Sequence, residues 1–122
     1  MVDQNLLTKK FQKEINSGIA SLVLLSVLGK SKEPMYGYQI AKLLEENNQD
    51  IPLMKQGSLY PVLRSLENGG LLDSEVEPSV SGPPRRYYTI NKDGREILEV
   101  WIGIWTQTKF FVDNTLTGAN ND

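Results

Sequence analysis

Between Gly57 and Ile90 the chain gathers hydroxyl, amide and guanidinium groups on one side of a helical pattern and at the tip of a hairpin. Within Gly57–Asn68, Leu59, Leu63 and Leu66 fall at i, i+4 and i+7, which makes one apolar stripe that must face inward. The opposite side presents Ser58, Tyr60, Arg64, Ser65 and Asn68, short hydrogen-bonding arms with one cation. Groups of this kind suit phosphate oxygens and base edges. Ser58 is expected as the N-cap, with Pro61 in the first turn, where its missing N–H removes no helical bond. Gly69-Gly70 can supply the left-handed residue that closes the helix. Residues 71–78 and 85–90 then read as strands around a Ser-Gly-Pro-Pro turn, with Arg85 and Arg86 at its edge. A helix followed by an arginine-tipped hairpin has the form of the recognition helix and wing of a winged helix-turn-helix.

Other chemistries are poorly served. The chain has no cysteine and no histidine, which excludes disulfides, the usual zinc sites, Ser–His and Cys–His nucleophiles and a histidine pH switch. The carboxylate pairs Glu45/Glu46 and Glu75/Glu77 stand without a histidine, an Asn-rich loop or a glycine phosphate cradle, and read as solvated faces. Tyr36-Gly-Tyr38 lacks the second and third glycines of a dinucleotide fingerprint. No enzyme activity, cofactor or metal is expected. A net charge of −2 supplies no long-range pull on DNA, so any attraction must come from a local patch.

The elements that hold these groups can be read from the pattern. With 122 residues, 39% of them hydrophobic and 23% charged, the chain supports one ordinary globular core. Residues 4–29 read as a first helix or helix pair: Leu7, Phe11 and Ile15 recur every four residues, and Gly18 marks a possible kink. The apolar run Ile19–Leu28 is about half of what a bilayer crossing needs. Residues 1–18 carry Asp3 and Glu14 and resemble part of a helix rather than a signal sequence, so a cytoplasmic protein without membrane contact is expected. Met35–Glu46 reads as the second helix, with Ile40, Leu43 and Leu44 inward and Lys42, Glu45 and Glu46 outward. Asn47–Pro52 breaks it, and the Gly57–Asn68 helix completes a helix-turn-helix. Pro78, Pro83 and Pro84, unable to donate ladder bonds, are expected to confine the hairpin to a sheet edge.

A final helix is expected from Asn91 or Lys92 to Leu116, followed by a disordered polar tail, 117–122. Ile97, Leu98, Val100, Trp101, Ile102, Ile104, Trp105, Phe110, Phe111 and Val112 occupy most of its circumference. Burying one large apolar side chain contributes about 1.5–3 kcal/mol. Leaving several in water is a heavy cost beside a total stability of about 5–15 kcal/mol. A second copy is the simplest cover, so a homodimer through residues 92–116, clasped by residues 4–15, is expected. The fold class is then α+β, mainly α: a winged helix-turn-helix over residues 1–90 with an added C-terminal dimerisation helix over 91–116.

Tyr36-Gly-Tyr-Gln-Ile40, Gly57-Ser-Leu-Tyr-Pro-Val-Leu-Arg-Ser-Leu-Glu67, Gly69 with Leu71, Pro84-Arg-Arg-Tyr-Tyr88 and Gly94 together resemble the PadR family of transcriptional regulators. The resemblance spans residues 19–105 and implies a dimeric repressor on a palindromic operator in double-stranded DNA. In that setting Ser58 and Tyr60 reach phosphates or base edges, Pro61 lies among them, and Arg64 reaches a guanine or a phosphate. Lys55 and Gln56 contribute from the turn, and Tyr36 and Tyr38 from the start of the second helix, unless Tyr38 is simply core. Arg85 and Arg86 insert beside the minor groove or neutralise phosphates, unless one of them pairs with Glu75 or Glu77.

The single C-terminal helix is similar to the short branch of the family, which includes multidrug-sensing repressors. There a tryptophan from each subunit lines a pore between protomers and stacks on flat aromatic ligands. The resemblance puts Trp105 at that position. Trp101, one turn earlier, and the bulky Ile102 and Ile104 depart from the pattern. A planar aromatic or cationic effector is the implied ligand. The alternative from another class is a winged-helix protein-interaction module that binds no DNA.

Overall fold

The computed structural model describes residues 1–47 and 56–118. The element order is α1 (Gln4–Lys30), β1 (Met35–Tyr36), α2 (Gly37–Asn47), α3 (Gln56–Asn68), β2 (Leu72–Glu77), β3 (Arg85–Ile90) and α4 (Lys92–Thr117). This is a mainly helical α+β winged helix-turn-helix with a three-stranded antiparallel sheet and a long last helix. No described helix is long and apolar enough to cross a membrane.

The core forms where the apolar stripes meet. Leu24, Leu25 and Leu28 of α1, Ile40 and Leu44 of α2, and Leu59, Leu63 and Leu66 of α3 are buried together with Leu72, Tyr88 and Ile90 of the sheet. Ile97, Leu98 and Trp101 lay the first half of α4 against the same cluster. The first half of α1 and the second half of α4 extend beyond it. Leu6, Leu7, Phe11 and Ile15 are exposed there, as are Phe110, Phe111 and Leu116.

Several boundaries differ from the sequence reading. α1 is one continuous helix through Gly18, capped by Asp3, whose carboxylate accepts the Leu6 N–H at 3.1 Å. Met35 and Tyr36 are not helical. They form β1, pairing with Tyr88 and Tyr87 of β3, and α2 begins only at Gly37. β3 is therefore the central strand in the order β1-β3-β2, and the three prolines lie outside all strands. Leu43, expected inward, is exposed. Ser58 is not an N-cap: α3 starts at Gln56, so Ser58 is its third residue and Pro61 lies inside the helix, in its second turn. There Pro61 cannot donate the helical bond to the Gly57 carbonyl. The expected break at Asn47–Pro52 lies outside the described residues beyond Asn47, as does the tail beyond Gly118.

Two junctions fix the wing and α4 relative to α3. Gly70 (φ 84°) ends α3, with Gly70 N–H donating to the Glu67 carbonyl at 2.9 Å and Leu71 N–H to that of Leu66 at 3.0 Å. This double closure is a Schellman motif. Asn91 then caps α4: its Oδ1 accepts the Gly94 N–H at 2.8 Å, while its Nδ2 donates to the Gly70 carbonyl at 3.0 Å and to Asp73 Oδ1 at 3.3 Å. The backbone of Leu71 passes so close to Gly94 that a Cβ there would collide with the Leu71 carbonyl oxygen and stand 2.7 Å from Ile90 Cγ1. Because the obstacle is backbone, Gly94→Ala must push α4 away. It is expected to destabilise the fold by about 1–3 kcal/mol, read as a lower urea midpoint with an unchanged m-value.

Candidate nucleic-acid interface

With its three leucines buried, α3 must show its other face to solvent. Ser58, Tyr60, Pro61, Arg64, Ser65 and Asn68 are all exposed. Tyr60 and Arg64 are one turn apart, so their side chains share a face. The phenol of Tyr60 reaches across to the first turn of α2: a Cβ on Gly37 would stand 2.6 Å from its hydroxyl. Glycine at 37 is what lets the two helices of the motif bring their polar groups this close. Gln56 opens α3, but its side chain, like Lys55 as a whole, lies outside the described set.

The wing meets this surface from the other side. Tyr36, Tyr38, Tyr60, Arg85 and Arg86 line one groove of about 620 Å³, closed by Ser81, Pro83 and Pro84 of the hairpin turn. Half of the residues expected to touch DNA are thus gathered from four elements into a single depression with two cations. Tyr38, for which a core position was open, is exposed instead.

Adjacent strand residues point to opposite faces, and the two arginines follow that rule. Arg85 lies over the ring of Tyr36, its guanidinium carbon 4.5 Å from the centroid. Arg86 is on the α3 side, donating to Ser74 Oγ at 2.9 Å, and Ser74 in turn donates to Glu67 Oε2 at 2.6 Å. The relay ties the wing to α3. Glu75 and Glu77 stand opposite Tyr87 and Arg85 in the β2–β3 register. Yet neither carboxylate forms an ion pair with an arginine; among the described residues the ion pair is Lys109–Asp113.

Sequence reasoning missed Gly37, Glu67, Ser74 and Tyr87. The contact of Tyr87 with Tyr36 depends on the unforeseen β1 strand. The Ser74 relay joins residues from three elements and leaves no periodic trace.

Tyr88 lies beneath the relay, 4% exposed. Burial raises its phenol pKa, and the Glu67 carboxylate raises it further; Arg86 and Arg64 pull the other way, and Tyr60 adds a small upward push. The group is therefore held neutral. Stability from a phenol whose folded pKa is raised is fully present below its unfolded value of about 10, and is lost as pH rises through the folded value. Tyr88→Phe is expected to flatten the fall in unfolding free energy above about pH 10 in urea titrations. An alkaline slope identical to that of the native chain would rule the assignment out.

A second concavity, about 810 Å³, runs between α1 and α4. Trp101 and Trp105 line it with Ile15, Ile19, Ile104 and Val112, beside Glu14 and the Lys109–Asp113 pair, whose N···O distance is 2.7 Å. Trp101 is half-buried against the core, and Trp105 is 42% exposed.

Known proteins share this fold. Residues 24–100 match the transcriptional regulator PadR-like family. A PadR family transcriptional regulator from Eggerthella lenta superposes with a TM-score of 0.77 at 31% identity, over 93% of this chain and 95% of that one. A PadR family transcription regulator from Clostridium difficile does so with a TM-score of 0.65 at 28% identity, over 80% and 98% of the two chains. An HTH-type transcriptional regulator of Methanothermobacter thermautotrophicus is 38% identical over 55 residues, 45% of this chain and 40% of that protein.

Proposed function

This chain belongs to the transcriptional regulator PadR-like family, and from that membership we propose that it is a homodimeric repressor that binds a palindromic operator and is released by a flat aromatic ligand. The observation that carries the DNA-binding mode is the convergence of Tyr36, Tyr38, Tyr60, Arg85 and Arg86 on one groove beside the exposed face of α3. In this reading residues 1–90 read DNA and α4 joins two copies. α3 enters the major groove, with Ser58, Tyr60, Pro61 and Arg64 against phosphates and base edges and Lys55 and Gln56 at its start. Arg85 reaches phosphates beside the wing, while Arg86, braced through Ser74 on Glu67, keeps the hairpin close to α3. The two recognition helices stand about 34–36 Å apart, one turn of duplex.

The exposed apolar residues at the ends of α1 and α4 support the dimer. Phe11 is 62% exposed, Phe110 68% and Phe111 70%, a burden that only association relieves. The Trp-lined groove supports the effector, since its walls are apolar, aromatic rings can stack there, and Glu14 offers a negative charge to a planar cation. A ligand in that groove touches both α1 and α4. It can therefore favour one separation of the recognition helices over another, as release by differential affinity requires.

Two measurements check these roles. Gel retardation on the DNA upstream of the chain's own gene should show binding at physiological salt. Arg64→Ala should weaken it about tenfold, and Arg85→Ala should lower the slope of log affinity against log salt by about one. A native chain that forms dimers but retards no DNA would leave the protein-interaction module as the reading. In light scattering the native chain should have the mass of two copies, and Phe110→Glu with Phe111→Glu the mass of one. A native monomer at micromolar concentration defeats the dimer.

A further inference from the structure

Arg85 and Tyr36 are far apart in sequence, yet the guanidinium carbon of Arg85 lies 4.5 Å from the centre of the Tyr36 ring. The ring itself is held from several directions. Strand pairing sets Tyr36 opposite Tyr87, whose ring meets it edge-on with centroids 5.2 Å apart at 69°. Tyr38 stacks on it at 6.4 Å and 21°. The backbone is pinned as well: Tyr36 N–H donates to Gln39 Oε1 at 3.1 Å, so the residue that ends β1 is tied to the first turn of α2. A contact from hydroxyl to phosphate would use only the tip of the side chain. This geometry uses its face.

We propose that Tyr36 is a positioning residue for the wing: its ring orients the Arg85 guanidinium toward DNA before DNA arrives. The inference rests on the DNA-binding reading above and specifies how the wing's cation is set. A free arginine at a hairpin edge samples many rotamers, and most of that freedom is lost on binding. A guanidinium is weakly hydrated and lies readily on an aromatic face, so the ring confines it in advance. Because Tyr36 belongs to the β1–α2 junction, the same contact locks the wing to the helix-turn-helix.

The probe is the duplex that the native protein recovers from a randomised pool. Tyr36→Leu is expected to weaken binding about two- to fivefold, and Tyr36→Phe, which keeps the ring, to bind as the native chain does. Arg85→Ala should weaken binding more than Tyr36→Leu. The double variant should bind as Arg85→Ala alone does, with no further loss from Tyr36→Leu. Additive losses overturn the proposal. So does a Tyr36→Phe variant as weak as Tyr36→Leu, which would assign the effect to the hydroxyl.

The free protein gives a second readout that needs no DNA. The δ-methylene protons of Arg85 should be shifted upfield by the ring in the native chain and in Tyr36→Phe, and should lose that shift in Tyr36→Leu. Unshifted protons in the native chain overturn the proposal directly. If the native chain recovers no duplex while the shift is present, the DNA-binding reading fails and the positioning role goes with it, though the Arg85–Tyr36 contact itself stands.

Discussion

Leu59, Leu63 and Leu66 fix the rotation of α3 about its own axis, and the polar surface of the molecule is a consequence of that constraint. All three are buried, the first two completely, against leucines of α1 and Ile40 of α2. Turning the helix by one residue, about 100°, would put Tyr60 and Arg64 into the core and bring leucines into water. A cavity left by one such leucine would cost about 2–5 kcal/mol, a large part of a small domain's stability. The face carrying Ser58, Tyr60, Arg64 and Asn68 is thus held outward by packing on the opposite side, and none of these residues needs an internal partner to keep it there.

The sheet and α4 are attached to this helix through very short connections. Leu71 gives its N–H to the end of α3 and its carbonyl to the Asn91 N–H, and passes against Gly94. Asn91 touches the end of α3, the start of β2 and the first turn of α4 at once. Backbone meets backbone here, with no long side chain to absorb a displacement, so the first turn of α4 and the C-terminus of α3 move together or not at all. Arg95 adds a tie to the end of α1, donating to the Gly29 carbonyl at 3.2 Å. α3 and the helix expected to join two protomers are tied directly to each other at this corner.

What could be read from the sequence was whatever repeats within one element. The leucine stripe of α3, the glycine closure after it, the hairpin around Pro83 and the asparagine start of α4 all announce themselves locally, and the structure has each of them. The elements misread were those decided by distant partners. Met35-Tyr36 looks helical because the residues after it are helical; only pairing with Tyr87 and Tyr88 makes it a strand. Leu43 fits the apolar stripe of α2, but the core meets that helix through Ile40 and Leu44 and leaves Leu43 in solvent. The groove that joins Tyr36, Tyr38 and Tyr60 to the wing was legible as a set of residues and not as a site, since its shape depends on β1 and on the space left by Gly37.

The charge balance gains meaning from the same geometry. A chain with net charge −2 has little attraction for a polyanion to waste. In the register of the hairpin Glu77 is the direct neighbour of Arg85, and an ion pair between them would cancel the wing's outermost cation. Arg85 lies on Tyr36 instead. An aromatic face attracts a guanidinium through its quadrupole and carries no net charge, so the arginine is held without being neutralised. Arg86 is held differently: it donates to Ser74, in a relay that ends on the Glu67 carboxylate, while remaining exposed at the same groove. Two adjacent arginines are thus held by different partners, Arg86 by Ser74 and Arg85 by the Tyr36 ring, and both line the groove. Strand alternation separates their contacts, and together they give a mildly acidic protein a concentrated positive patch beside α3.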